Sequence, residues 1–250
     1  MIEVVEAGGW GLLAGSALLL GAGAGYAWRL PHWLVASVMA FGAGVLLSAV
    51  SFELVGEAYE QSGLTPAVLG TAAGAALYTA GNIALARQGA RHRKRSGPRR
   101  QPSESQQAGS GMALALGALL DGVPESAVIG VGLDGGGSVS LVTVAAVFIS
   151  NIPEGLSSSA GMREAGRGRG YVFGVWSAIA GACTVSAVLG YAVVGDMSPL
   201  VTAYVTAVAA GAILAMIADT MIPEAFEDTH LASGLVTTSG FLLSFALSHR

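Results

Sequence analysis

Apolar residues run through this chain in long blocks rather than in strict alternation. A window of about twenty residues, the length a helix needs to cross ~30 Å of hydrocarbon, isolates eight blocks: 9–28, 33–56, 64–85, 112–133, 139–161, 171–194, 200–222 and 231–247. Runs this long exceed what a buried strand uses. The pattern predicts an all-α integral membrane protein of eight transmembrane helices, with residues 1–250 forming one transmembrane domain. The longest polar stretch, 88–110, is basic at first and then rich in Ser, Gln, Gly and Pro; it reads as a disordered cytoplasmic loop.

Composition agrees: 53% of the residues are hydrophobic and 11% are charged, against about 25% charged in an ordinary soluble domain. Thirty-seven glycines fit helices that pack closely through small residues. Charge adds an orientation. The loops after the first, third and fifth blocks hold 11 of the 12 Lys and Arg residues, and the remaining one is Arg250. The positive-inside rule then puts both termini outside in a multi-pass protein. With no targeting segment and short loops, the cell (plasma) membrane is the expected location, and the bilayer the first partner. The basic loop lacks aromatic residues, which fits anionic lipid at the membrane surface and not nucleic acid. A single cysteine, Cys183, precludes an internal disulfide.

The polar exceptions inside the blocks carry the chemistry. Asp121 and Glu125 in the fourth are four residues apart and share a helix face. An acid at mid-bilayer costs at least ~2.5 kcal/mol on insertion scales, so two on one face need a compensating role. Pro124, between them, removes a backbone hydrogen bond and frees the carbonyl of Leu120. The fifth block repeats the device: Ser150 and Glu154 share a face, Asn151 lies beside them, and Pro153 frees the carbonyl of Ile149. Helix rise places Asp121 and the Ser150–Asn151 pair at similar depth. Oxygen ligands and loosened backbone at one depth suit a cation, whereas protonated carboxyls bonded only to each other are the bland alternative. Glu53, deep in the second block, and Cys183 in the sixth are accessory candidates. Asn82 reads first as a satisfied interhelical hydrogen bond.

The second and seventh blocks align on Gly44 and Gly211. The alignment pairs Leu47 with Leu214, Glu57 with Glu224, Ala58 with Ala225 and Glu60 with Glu227. The two blocks run in opposite directions, so this is an inverted repeat, a common construction in secondary transporters.

With Pro124-Glu125, Asn151-Ile152-Pro153-Glu154-Gly155, the Glu-Ala ends of the second and seventh blocks and the long third-to-fourth loop, the chain resembles the Zrt/Irt-like (ZIP) family of divalent metal transporters. The resemblance covers all eight blocks. It implies a three-two-three arrangement of eight helices, a metal site between the fourth and fifth, homodimers, and uptake toward the cytoplasm. The ligand set it implies is Asp121, Glu125, Ser150, Asn151 and Glu154. It implies no cofactor; the metal (zinc, iron or manganese class) is the transported substrate. The chain departs from the family pattern at four places. Asp121-Gly122 stands for the usual His-Asn, Ser126 for Gly, Ser150 for His or an amide donor, and Cys183-Thr184 for Glu-Pro. None of the four histidines lies in a block. Oxygen ligands favour harder ions such as Mn²⁺ or Fe²⁺, although carboxylates also bind Zn²⁺.

An enzyme is not expected. The blocks lack His-Glu-x-x-His and any Ser-His or Ser-Lys pair. The other class to weigh is a metal-binding or metal-regulated membrane protein that moves nothing, which the missing histidines motivate.

Overall fold

The structure, a computed structural model, describes residues 2–93, 101, 106–133, 141–194, 197–229 and 232–249. Its elements are helices, with no strand among the described residues: α1 (Ile2–Ala27), α2 (His32–Ala49), α3 (Gly56–Ser62), α4 (Leu64–Ala86), α5 (Ser110–Val131), α6 (Leu141–Glu164), α7 (Arg169–Val194), α8 (Pro199–Met216), α9 (Ile222–Thr229) and α10 (Ser233–Ser248). A π-helical segment, Val50–Val55, joins α2 to α3, and another, Ile217–Met221, joins α8 to α9.

Seven continuous stretches are long and apolar enough to cross a membrane, including His32–Ser62 with 31 residues and Pro199–Glu227 with 29. The eighth, Ser233–Ser248, is apolar but has only 16 residues. At ~1.5 Å per residue it falls short of the hydrocarbon thickness. The predicted block began at 231, outside the described residues.

Large side chains cover the exterior: Leu20, Leu77 and Leu235 are 61%, 66% and 78% exposed. A soluble surface does not tolerate so much outward leucine, whereas lipid does. Inside, one cluster joins Met39 and Leu46 of α2 to Ile129 of α5 and to Ile213 and Met216 of α8. A second joins Leu18 of α1, Leu114 of α5, Met162 of α6, and Trp176 and Ile179 of α7.

Glycines set how closely the helices approach. A Cβ on Gly155 of α6 would overlap the Leu18 carbonyl of α1, and Cβ atoms on Gly21 and Gly25 of α1 would overlap the Ile152 and Leu156 carbonyls of α6. Backbones this close gain dispersion contacts that larger residues would forbid. Three more pairs mesh in the same reciprocal way. Gly74 of α4 meets Val208 as Gly211 of α8 meets Thr71; Gly44 of α2 meets Thr237 as Gly240 of α10 meets Phe41; Gly130 of α5 meets Ala187 as Gly190 of α7 meets Ala127.

The basic ends also tie helices together. Arg163, in the last turn of α6, donates from Nη1 to the carbonyls of Tyr26 and Trp28 at 2.8 and 2.9 Å. These carbonyls belong to the unsatisfied end of α1. Arg163→Ala is expected to lower stability by about 1 kcal/mol, the usual net worth of such bonds in a half-exposed place. Thermal unfolding in detergent measures it.

Candidate cation site

Asp121, one turn before Pro124 in α5, is 1% exposed. Its partners come from α4 and from the segment after it. Tyr78 and Asn82 lie four residues apart on one face of α4. The Tyr78 hydroxyl donates to Asp121 Oδ1 at 2.6 Å. Arg93 follows the short 3₁₀ turn Ala90–His92 and is 2% exposed. It donates from Nε to Asp121 Oδ2 at 2.9 Å and from Nη2 to Asp121 Oδ1 at 2.7 Å, a two-point clamp on the carboxylate. Nη2 also donates to the Tyr78 oxygen at 2.7 Å, and Nη1 to Asn82 Oδ1 at 2.8 Å.

The guanidinium stem reaches this depth because Gly117 of α5 makes room. A Cβ there would fall 2.5 Å from Arg93 Cδ. Gln101 then holds the connector. Its Nε2 donates to the Arg93 carbonyl at 2.7 Å and to the Ser158 carbonyl of α6 at 3.2 Å. Of the loop 88–110, predicted to be disordered and solvated, residues 94–100 and 102–105 lie outside the described residues. Arg93 and Gln101 are instead buried, Arg93 paired with the acid of α5 and Gln101 bonded to backbone carbonyls.

Glu125 is 0% exposed, one turn beyond Asp121 on α5. Around it α7 bonds to the backbone beside Pro124. The Cys183 thiol donates to the Gly122 carbonyl at 3.6 Å, and the Ser186 hydroxyl to the Val123 carbonyl at 2.9 Å. Gly122 leaves room for that sulfur, since a Cβ would fall 2.9 Å from it. Glu154 of α6 is 3% exposed. It lies within electrostatic reach of Arg93, Tyr78 and Cys183, and Glu125 also lies within reach of Cys183. Asp121, Glu154 and Arg93 therefore form one charged neighbourhood, with Glu125 and Cys183 beside it.

The other predicted ligands point elsewhere. Ser150 donates to the Val147 carbonyl of its own helix at 3.0 Å. Asn151 donates from Nδ2 to the Ala14 carbonyl of α1 at 2.9 Å, tying α6 to α1. Among the described residues its Oδ1 has no hydrogen-bond partner, which leaves that oxygen as the ligand-capable end. Glu53 is half-buried in the first π-helical segment, with Glu57 among its charged neighbours. Asn82 makes its bond with Arg93 rather than with a neighbouring helix. Among the described residues no three His, Cys, Asp or Glu side chains are grouped closely enough to hold a metal ion.

No protein-family model matches this chain, and no curated protein matches it either.

Proposed function

We propose that this protein is a ZIP-like transporter that carries a divalent transition-metal cation of the zinc, iron or manganese class toward the cytoplasm through a site between α5 and α6. The observation that carries the proposal is the burial of three carboxylates, Asp121, Glu125 and Glu154, each at most 3% exposed, inside two adjoining apolar helices. At least Asp121 is ionised, because a guanidinium clamps both its oxygens. Protonated carboxyls serving only as interhelical glue would attract no such partner. Negative charge kept at this depth is expensive unless a cation uses it.

The eight-helix inverted repeat belongs to the same proposal, with α2–α3 as the second span, α8–α9 as the seventh and α10 as the eighth. Two observations support it. The glycine-meshed pairs, spans 1 and 5, 4 and 6, 3 and 7, 2 and 8, exchange into one another when 1 swaps with 6, 2 with 7, 3 with 8 and 4 with 5. The π-helical segments at Val50 and Ile217 each begin six residues beyond the aligned glycines Gly44 and Gly211.

The Arg93–Asp121 pair also favours a second reading, a metal-regulated membrane protein without flux. A carboxylate already held by arginine belongs as well to a fixed structural element as to a path. Proteoliposomes separate the two. Uptake of Zn²⁺, Mn²⁺ or Fe²⁺ is expected with the wild type, and Glu154→Gln is expected to lower it at least about tenfold, the scale of losing a metal-site group. Uptake untouched by that change removes Glu154 from the path. Metal-dependent stability with no uptake selects the second reading.

A further inference from the structure

A second polar cavity lies where α1 stops, α2 starts and α6 ends. Arg29, His32, Arg163 and Glu164 line it, and its volume is about 520 Å³. That is within the roughly 300–1,000 Å³ of ordinary small-ligand sites. The adjoining crevice runs inward past Val35, Leu156 and Ala160 and is only about 10 Å³, room for one water at most. An occupant therefore enters from outside the bundle. The basic groups at this end differ in what they already hold. Arg163 gives Nη1 to the last carbonyls of α1. Arg169 lies over the Tyr26 ring, 5.9 Å from its centroid, and Arg167 over Tyr171 at 5.1 Å. Arg29, His32 and Glu164 are exposed, and among the described residues their side chains make no hydrogen bond or ion pair. On a surface washed by water that would mean little. Here Trp28 and Trp33, 64% and 60% exposed, bracket the α1–α2 connection. Outward tryptophan gathers at the headgroup level of a bilayer, so the cavity opens where lipid phosphates lie.

We propose that this cavity binds the headgroup of an aminophospholipid, its phosphate on Arg29 and Arg163 and its primary ammonium on Glu164, with His32 as a further polar wall. The pattern of sign makes the choice. A purely anionic headgroup would set Glu164 against like charge. A purely cationic ligand would meet two guanidiniums. A headgroup with both charges satisfies both ends, and guanidinium–phosphate bonds are of the strong, charge-assisted kind. A choline headgroup has no N–H to donate and would lose its hydrogen bond at Glu164. The bound lipid would join the α1–α2 connection to the end of α6, the helix that meshes with α1 through Gly21, Gly25 and Gly155. This binding does not depend on cation transport.

The test is lipid binding to the purified full-length protein, stripped of lipid in detergent. Native mass spectrometry and thermal shift are read on adding phosphatidylethanolamine, phosphatidylcholine or phosphatidylglycerol. Phosphatidylethanolamine is expected to bind at least about tenfold more tightly than the other two, the scale of one hydrogen bond to a charged group. Arg29→Gln breaks no bond among the described residues, so the variant is expected to fold. It should bind phosphatidylethanolamine about tenfold more weakly. Glu164→Gln is expected to erase the advantage over phosphatidylcholine and to leave phosphatidylcholine binding as it was. Arg87→Gln, on the end of α4, is the control for general attraction to basic surface and should change nothing. Equal binding of the three lipids by the wild type would overturn the proposal. So would full phosphatidylethanolamine affinity in Arg29→Gln, or an equal loss in Arg87→Gln. Inorganic phosphate is the soluble rival. If it displaces the lipid and raises the melting temperature as much, the cavity is a free-phosphate site and the lipid assignment fails.

Discussion

Arg93→Ala is expected to leave little folded protein, with a stability loss of about 3–5 kcal/mol, the range for removing one member of a buried ion pair. The physical reason is the state of what remains. Asp121 would keep its charge at 1% exposure without the two-point guanidinium clamp, and Asn82 would lose its donor. Replacing the pair together should cost much less than the sum of the single changes, because the charge left behind dominates each single loss. Chemical unfolding in detergent, followed by tryptophan fluorescence, measures it; Trp176, 2% exposed, reports on the interior. A loss below about 1 kcal/mol would mean that water reaches the pair, as it does for a surface ion pair.

Gly155→Leu should be nearly as damaging. The new side chain would begin inside the space of the Leu18 carbonyl and the Ala22 nitrogen, both backbone atoms that cannot turn away. Only a separation of α1 from α6 would relieve the clash. That movement would break the Asn151–Ala14 bond and pull α6, with Glu154, away from its neighbours. The expected loss is about 3 kcal/mol, the upper end for overpacking. Gly181→Ala on α7 is the control, because a Cβ there meets nothing within 4 Å. Alanine is the better helix former by roughly 1 kcal/mol, so the control should hold or gain stability. Size-exclusion profiles and melting temperatures of the two variants separate the outcomes.

The apolar blocks were legible because membrane crossing imposes a length and a composition on each helix by itself. The buried acids were legible for a related reason: Asp121, Glu125 and Glu154 stand out in runs that contain almost no other charge. Their partners were not. Arg93 sits in a stretch of seven Arg and Lys residues between 87 and 100, where local composition says only that the segment is polar. The missing step was a demand rather than a pattern, since an ionised acid in an apolar helix must find a cation. Tyr78 and Asn82, spaced one turn apart on α4, mark the face where it arrives. The direction of the Asn151 side chain had no local signal at all. It depends on how α6 is rotated against α1, which the glycine contacts decide.

The π-helical segments bear on the acidic ends of the two longest helices. A π turn carries about one residue more than an α turn, and one residue corresponds to roughly 100° of rotation. Everything beyond Val55 and Met221 is therefore out of phase with the helix before it. Glu57 and Glu60, like Glu224 and Glu227, face directions that an unbroken helix would not give them. Each long helix accordingly works as two rods with separate azimuths, and the acidic ends are aimed independently of the glycine seams that anchor α2 and α8.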